Sequence, residues 1–247
     1  MRSMRNLRLD ICYDGTKYKG FQRLANPDHT IQGKLEQTLS RLLGENIEVS
    51  GSGRTDAGTH ALGQVVSFHC ESQMSCDEIL SGLRQYLPED IGVCACKNVS
   101  PRFHARLNAK TKTYRYRVWN GTDPCIFERK YVWIDRDTLD VGKMHNAAQL
   151  FLGTHDYSAF CGNKNMKKST VRCIEKFVVE QQGNEVVFTV RGNGFLQHMV
   201  RIMVGTLLEI GKGQREPDSI LTLFGGVRAD AGPAVPACGL CLMEVTY

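Results

Sequence analysis

The 247-residue sequence has no uninterrupted apolar run of about 18 residues, the length that a membrane-spanning helix requires. Its N-terminus, MRSMRNLRLDICYD, is basic and lacks the apolar stretch of a secretory signal peptide. These two absences argue against a membrane or secreted protein, and we expect a cytoplasmic one. Since 42% of the residues are apolar, the chain can bury a full core as one large domain or two compact ones.

The sequence also lacks the full ligand set of a structural zinc site. Cys238 and Cys241 have CxxC spacing, but no second CxxC and no close histidine pair completes four ligands. Six of the ten cysteines lie in or beside apolar, strand-like runs, where a free thiol behaves as a small hydrophobic group. We therefore expect buried, reduced thiols and no metal.

The charge balance is only mildly basic. There are 31 basic and 26 acidic residues, and the net charge of +5 suits a polyanionic partner without requiring one. The basic residues cluster in two places, Lys110, Lys112, Arg115 and Arg117 in one segment and Lys164, Lys167 and Lys168 in a polar loop. Such clusters are phosphate contacts about as often as they are solvated surfaces, so both interpretations stay open.

The spacing of apolar residues predicts an α+β fold. In the first half, strands are predicted at 6–12, 65–68 and 91–99, and helices at 31–43 and 76–87. Thr30 is the expected N-cap of the first helix and Gly44 its stop. In the second half, strands are predicted at 111–120, 186–190 and 240–246, and helices at 140–153 and 196–207. We expect two similar halves, 1–105 and 106–247, with sheets covered on one face by helices.

The loop GSGRTDAGTHALG, residues 51–63, is the best candidate for chemistry, because its four glycines predict a tight, irregular backbone. It lacks both the Gly-Lys-Ser/Thr ending of a phosphate-binding P-loop and a serine or cysteine nucleophile motif. An aspartate such as Asp56 is usually a turn former here. If the Arg54 guanidinium meets it, the ionised carboxylate is favoured, as nucleophilic catalysis at a sugar carbon requires.

Two further residue types leave alternatives open. His60 can act as a general acid or base, although a hydrogen-bonded structural histidine is the favoured interpretation. Tyr114 and Tyr116 share one face of a predicted strand with Lys112. Aromatic rings beside basic groups can stack on a nucleobase, although packing in the core is the favoured interpretation.

Several ordered blocks of the sequence resemble one family. GRTDAGTHA (53–61) resembles the GRTDAGVHA signature of the TruA-type tRNA pseudouridine synthases. The resemblance continues in order along nearly the whole chain, through YDGTKYKGFQR (13–23), TIQGKLEQTL (30–39), TYRYRV (113–118), GTHDYSAF (153–160) and FLQHMVRIMVGTLLEIG (195–211).

The resemblance implies a fold of two α+β halves, each a mainly antiparallel sheet with helices on one face, around a central basic cleft. It implies a homodimer, without metal or organic cofactor, that isomerises uridines 38, 39 and 40 in the anticodon arm of tRNA. It also implies that Asp56 is the catalytic nucleophile, that Tyr114 contacts the target base, and that Arg54 and Arg201 line the cleft.

Two departures from the family pattern support an alternative. Arg84 stands where the family usually has asparagine, and the loop LANPDHT (24–30) is atypical. A paralogue that modifies another RNA, such as rRNA, would keep the Asp56 signature and change these positions. A non-catalytic RNA-binding protein is the third possibility. The sequence also leaves open whether Asp56 attacks C1′ of the ribose or removes the C2′ proton.

Overall fold

The computed structural model describes residues 4–26, 29–163 and 165–247, which divide into two units. Unit 1 comprises the described residues up to Lys110 together with Leu242–Tyr247, and unit 2 comprises Thr111–Cys241. The division therefore falls after residue 110 and not after residue 105, and the last six residues return to the first unit. In the described part of the chain, no helix is both long enough and apolar enough to cross a membrane.

Unit 1 is built around an antiparallel sheet. Its elements are β1 (Arg5–Tyr13), α1 (Ile31–Leu43), β2 (Ser50–Gly51), β3 (His60–Cys70), α2 (Cys76–Tyr86), β4 (Ile91–Val99) and most of β10 (Leu240–Thr246). The strand order is β4-β1-β3-β10, and β2 pairs with β3. β1 runs antiparallel to both β3 and β4, so it is a central strand whose C-terminal end lies between two neighbours.

Alternation along β1 gives the sheet one buried face. Leu7, Leu9 and Ile11 are each 0% exposed, whereas Arg8 and Asp10, on the opposite face, are partly exposed. The side chains of the two helices that are buried to the same degree are Leu35, Leu39, Ile79 and Leu83. Burying each such side chain stabilises the fold by about 1.5–3 kcal/mol, so this core holds β1 and the residues that follow it in place.

The boundary between the units is displaced from the predicted one because the C-terminus holds residues 105–110. The N–H of Lys110 donates to the carbonyl of Thr246 at 2.9 Å. The hydroxyl of Tyr247 donates to the carbonyl of Ala105 at 2.7 Å, and its ring packs on Phe103 at 5.0 Å between centroids. Sequence periodicity describes each strand separately, so it does not show that the last strand belongs with the first unit.

Unit 2 contains a second sheet segment with the order β5-β9-β8-β7. Its elements are β5 (Thr111–Trp119), β6 (Trp133–Ile134), α3 (Val141–Ala148), β7 (Gly153–Asp156), β8 (Val171–Gln182), β9 (Glu185–Gly192), α4 (Met199–Gly211) and α5 (Ser219–Leu223). The pairings β5–β9, β9–β8 and β8–β7 are antiparallel, and β6 pairs in parallel with β5. The α+β class with mainly antiparallel strands that the sequence predicts is confirmed.

Helices α1 and α2 and the strands predicted at 6–12, 65–68, 91–99, 111–120, 186–190 and 240–246 are confirmed, but β8 was not predicted. β8 has 12 residues, and its burial is irregular. Ile174, Phe177 and Val179 are buried, and the register with β9 shifts between Ile174 and Lys176. This bulge breaks the alternation on which strand prediction depends.

The two helices predicted for unit 2 have different bounds from those expected. The helix predicted at 140–153 ends at Ala148 and is followed by a 3₁₀ turn, after which Leu152 is extended and Gly153, with φ +97°, starts β7. The helix predicted from Leu196 starts at Met199, because His198 has φ 59° and Leu196 lies in the preceding turn. Left-handed backbone ends a helical run whatever the apolar spacing is.

Replacing Thr30 with alanine tests the predicted start of α1. The Thr30 hydroxyl is fully buried and accepts a hydrogen bond from the Gly33 N–H at 3.2 Å. Because alanine leaves that N–H uncapped, we expect Thr30→Ala to lower the free energy of unfolding by about 1–2 kcal/mol in urea denaturation. Thr30→Ser keeps the oxygen and is the control. Equal stabilities of the two variants would contradict the capping role.

Candidate active site

The glycine-bearing loop lies between β2 and β3 in unit 1, and Gln64 pins its two ends together. The Gln64 amide nitrogen donates to the carbonyl of Gly53 at 3.0 Å, and its amide oxygen accepts from the Ser52 hydroxyl at 2.5 Å. The Ser52 N–H donates to the carbonyl of Val65 at 2.8 Å. Residues 52–59 therefore form a closed loop, which we call the Asp56 loop.

Asp56 begins a tight turn at the tip of this loop. Its carbonyl accepts from the Thr59 N–H at 3.1 Å, and Gly58 has the positive φ of 77° that the turn requires. The Asp56 side chain is half-buried, in contrast to the buried Thr55 before it. The turn therefore presents one carboxylate while the neighbouring residues anchor the backbone.

Residues 13–21, the segment that follows β1, hold the Asp56 loop from one side. The Phe21 N–H donates to the carbonyl of Thr55 at 3.1 Å, and the Gly58 N–H donates to the carbonyl of Tyr18 at 3.3 Å. The hydroxyls of Tyr13 and Thr55 share a buried hydrogen bond of 2.8 Å. Asp56 is thus flanked by contacts on both the residue before it and the turn after it.

Two glycines allow this close approach of one backbone to another. A Cβ on Gly15 would lie 2.0 Å from the carbonyl oxygen of Thr59. Gly20 has φ +103°, and a Cβ there would lie 2.7 Å from the carbonyl oxygen of Thr55. Only glycine combines that φ with that distance at low cost. The motif YDGTKYKGF is therefore the support of the Asp56 loop.

His60 is a buried structural residue in this arrangement. Its side chain accepts a hydrogen bond from the Gly15 N–H at Nδ1, at 3.1 Å, and the same nitrogen is 3.2 Å from Oδ1 of Asp14. That oxygen also accepts from the Thr16 N–H at 2.9 Å. These contacts at Nδ1 allow His60 to fix the segment after β1 to the start of β3.

Arg54 is exposed. Its Nη1 donates to the side-chain oxygen of Gln22 at 2.8 Å. The guanidinium is thus placed between the Asp56 loop and the end of the supporting segment. The pairing of Arg54 with the Asp56 carboxylate stays a prediction.

The two tyrosines of β5 in unit 2 have different environments. Tyr116 is fully buried and donates its hydroxyl to the carbonyl of Pro236 at 2.7 Å; burial raises its pKa far above the ordinary value. Tyr114 is 7% exposed, and its ring meets the edge of Phe195 at 5.1 Å between centroids. Tyr116 is therefore a core residue, whereas Tyr114 is oriented by an aromatic partner that sequence analysis did not identify.

Arg201 lies in the first turn of α4 in unit 2. Its Nε donates to the carbonyl of Val235 at 2.6 Å, and the Val235 N–H donates back to the Arg201 carbonyl at 3.3 Å. The guanidinium is half-buried and its position is fixed by this reciprocal contact. Of the four predicted site residues, the structure places Arg54 and Asp56 on one loop of unit 1, and Tyr114 and Arg201 on β5 and α4 of unit 2.

The basic clusters are only partly available to a polyanion. Arg117 is occupied by Glu185 and Glu128, at 2.6 and 2.8 Å from its Nη2. Lys167 and Lys168 are exposed, whereas Lys164, predicted as part of the same cluster, lies outside the described residues. Within those residues, no group of three or more His, Cys, Asp or Glu side chains could hold a metal ion.

Comparison with known proteins identifies the family. The family model described as tRNA pseudouridine synthase matches residues 11–108 and 147–247. The chain belongs to the tRNA pseudouridine synthase family. Enzymes of this family are isomerases that convert uridine to pseudouridine in tRNA, so the Asp56 loop belongs to an isomerase.

Individual relatives of this synthase agree over its full length. A protein of Bacillus sp. (strain KSM-64) named tRNA pseudouridine synthase A is 44% identical over 99% of this chain and 100% of its own. One of Clostridium tetani (strain Massachusetts / E88) named tRNA pseudouridine synthase A 1 has the same identity and coverage. A chain of the archaeal box H/ACA sRNP Nop10–Cbf5 complex matches at 13% identity and a TM-score of 0.36, covering 82% of this chain and 44% of its own. The family assignment rests on the sequence relatives.

The segments that match the family model include three of the four predicted site residues of the synthase. Arg54 and Asp56 lie in the first segment and Arg201 in the second, whereas Tyr114 lies between them, in residues 109–146. Sequence analysis also missed Tyr13 and Phe195 as supports of Asp56 and Tyr114. The signal for Tyr13 was its place at the start of the glycine-containing motif YDGTKYKGF, beside the end of a strand.

Replacing Gly20 with alanine tests whether the supporting segment positions Asp56 in the synthase. The added Cβ must push the Thr55 carbonyl away, so we expect pseudouridine formation on tRNA to fall on the order of 10²-fold, as small misplacements of reacting groups do. Gly183→Ala is the matched control, since Gly183 has φ +59° and no atom within 4 Å of an added Cβ.

Both substitutions introduce backbone strain of about 1–2 kcal/mol, and Gly20→Ala also places a Cβ 2.7 Å from the Thr55 carbonyl oxygen. Gly20→Ala should therefore lose more stability, and activity is compared at equal amounts of folded protein. Activity should fall only in Gly20→Ala. Equal activity of the two folded variants would show that the close approach at Thr55 does not position the carboxylate.

Proposed function

We propose that this protein isomerises uridine to pseudouridine at positions 38, 39 and 40 of the tRNA anticodon stem-loop, with Asp56 as the catalytic carboxylate. The observation that carries the proposal is the placement of Asp56 at the tip of a turn that is held on both sides while its own side chain stays half-buried. Full-length similarity to proteins named tRNA pseudouridine synthase A supports tRNA as the substrate.

The reaction needs a carboxylate more than any other group. Uracil leaves C1′ of the ribose, turns, and rejoins through C5, so that a glycosidic bond breaks and a C–C bond forms. Positive charge develops at the sugar when the first bond breaks, and a carboxylate stabilises it or traps it covalently. Asp56 is proposed to do this, either by attack on C1′ or by removal of the C2′ proton. The product is an isomer of the substrate, so we propose that no redox cofactor or metal takes part.

The aromatic and basic residues are proposed to hold the extruded nucleotide. Taking a base out of its stack costs a few kcal/mol, and stacking on an aromatic ring returns about 1–3 kcal/mol. Tyr114 is proposed to supply that ring, and its edge contact with Phe195 supports a fixed orientation. Arg54 and Arg201 are proposed to bind phosphate oxygens, the contacts that position a nucleic acid without reading its sequence.

We also propose that the protein is cytoplasmic and that it acts as a homodimer, the latter because the resemblance to its family implies it. Sedimentation at low micromolar concentration measures the oligomeric state directly.

The second candidate function is the same chemistry on another RNA, and one of the two sequence features that favoured it has a structural explanation. Arg84 donates to the carbonyls of Val93 and Cys94 at 3.1 and 3.3 Å, so this departure from the family pattern ties α2 to β4. Residues 27 and 28 of the atypical loop lie outside the described residues.

Substitution of Asp56 tests the catalytic role. We expect Asp56→Ala to bind unmodified tRNA with unchanged affinity and to form no measurable pseudouridine, because binding depends mainly on phosphate contacts and the chemical step on the carboxylate. Asp56→Asn should behave in the same way, since the amide keeps the shape but not the charge. The control is Asp218→Ala, which removes an exposed carboxylate that caps no helix through its side chain. Turnover by Asp56→Ala comparable to that control would refute the assignment.

A map of pseudouridine across cellular RNA tests the substrate. In a strain that lacks the gene, we expect tRNA positions 38–40 to lose the modification and rRNA positions to keep it. Expression of the wild-type chain should restore the tRNA positions, and expression of Asp56→Ala should not. If tRNA stays modified while an rRNA position is lost, the protein is a paralogue with another target.

A further inference from the structure

Two cysteine sulfurs face each other across neighbouring strands of unit 1. Cys12 lies near the end of β1 and Cys94 on β4, and their Sγ atoms are 4.0 Å apart. The strands are antiparallel, and their register shifts where Ile11 pairs with Val93 but Asp10 pairs with Ala95. Cys94 is therefore the extra residue of a β-bulge, and bulges re-aim the side chain that they carry.

The residue opposite Cys12 leaves room for its sulfur. Cys12 pairs with Gly92, and a Cβ on Gly92 would lie 2.8 Å from the Cys12 Sγ. The thiol thus occupies the space that a side chain on β4 would take, two residues from Cys94. A disulfide needs an S–S distance of about 2.05 Å, so the two sulfurs have about 2 Å to close, which side-chain rotation at an open position can supply.

The two thiols differ in exposure, as the two partners in stepwise oxidation should. All ten cysteines lie in the described residues, and Cys94 is the exposed one, whereas Cys12 is half-buried. Burial and the neighbouring Cys94 raise the pKa of the Cys12 thiol above its ordinary value. An oxidant from solvent therefore reaches Cys94 first, and Cys12 is the thiol that follows.

We propose that Cys12 and Cys94 form a reversible disulfide when the protein meets a hydroperoxide. The Cys94 thiolate attacks a peroxide oxygen and the O–O bond breaks, which leaves a sulfenic acid on Cys94 and releases hydroxide or alkoxide. This anion takes up the proton that the thiol lost, so that hydrogen peroxide releases water. The Cys12 sulfur then attacks the sulfenic sulfur, the S–S bond forms, and the sulfenic oxygen leaves as a second water with the Cys12 proton. Two thiols lose two electrons in total, and a dithiol reductant reverses the change by exchange.

The crosslink is placed to act on the Asp56 loop. Cys12 immediately precedes Tyr13, whose hydroxyl bonds to Thr55 at 2.8 Å. Tyr13 also pairs with Ile91 on β4, and the Asp14 N–H donates to the carbonyl of Asp90 at 2.9 Å. Drawing β1 and β4 together at this point shifts the strand end from which the supporting segment starts. Oxidation therefore lowers isomerase activity, a consequence that rests on the proposed function, whereas the crosslink itself does not.

Peptide mapping after peroxide treatment tests the crosslink. The fully reduced protein is treated with hydrogen peroxide, free thiols are alkylated, and disulfide-linked peptides are identified by mass spectrometry. The expected result is a linked peptide that contains Cys12 and Cys94, that is absent in Cys12→Ser and Cys94→Ser, and that disappears after treatment with dithiothreitol. Cys173→Ser, which makes the same change in unit 2, is the control and should keep the linked peptide.

A different pattern of oxidation would overturn the proposal. Cys76 and Cys96 form the comparison pair, in which burial and Cys76 raise the pKa of Cys96 to about 12. Linkage of that pair alone, recovery of Cys94 as an unlinked sulfinic acid, or no reaction at Cys94 would each show that Cys12 and Cys94 do not act together.

The activity measurement separates the crosslink from the proposed function. Reduced wild-type protein and reduced Cys94→Ser should form pseudouridine at the same rate. Peroxide should cause a loss of activity in the wild type that dithiothreitol restores, and little loss in Cys94→Ser. An inactive reduced wild type would refute the proposed function and leave the mapped disulfide standing; full activity of the crosslinked wild type would refute the coupling to the Asp56 loop.

Discussion

The contact between two stretches of backbone, residues 13–21 and the Asp56 loop, is the constraint on which the candidate site depends. The Phe21 N–H reaches the Thr55 carbonyl, and glycine at position 20 keeps the space between them free of a side chain. Backbone contacts of this kind leave little freedom of rotation, unlike contacts between long side chains. They explain how a loop with two glycines, which would otherwise be flexible, holds one carboxylate in one place.

In two places, a residue that is bonded in the interior stands one or two positions from a predicted site residue. Thr55 is buried and bonded, and Asp56 next to it is half-buried. Tyr116 is bonded to Pro236 in the core, and Tyr114, two residues earlier on the same strand, is oriented by Phe195. Thr55 fixes the backbone beside Asp56, so that carboxylate is positioned without being fully buried, whereas both tyrosines are buried. The roles proposed for Asp56 and Tyr114 need a carboxylate and an aromatic ring that are each held in one orientation.

The same strand end that supports Asp56 also carries the cysteine pair. β1 is held on both sides, by β3 and by β4, and its last residues lead directly into the supporting segment. The bulge at Cys94 and the missing side chain at Gly92 bring two sulfurs together at this point. A disulfide at Cys12 would therefore lie one residue before Tyr13, whose hydroxyl shares a hydrogen bond with Thr55.

The sequence by itself determined the α+β class, the bounds of α1 and its caps, the strands at 91–99 and 240–246, and, through the GRTDAG signature, Asp56 as the candidate nucleophile. These features are local, since periodicity, capping residues and motifs are complete within a short stretch of chain. Only the tertiary structure decided that Tyr13, Gly20 and Phe195 support the site, that Arg117 is occupied by glutamates, and that the last strand returns to the first unit. Those contacts join residues that are distant in sequence, and no local pattern specifies which distant backbone will fill a given space.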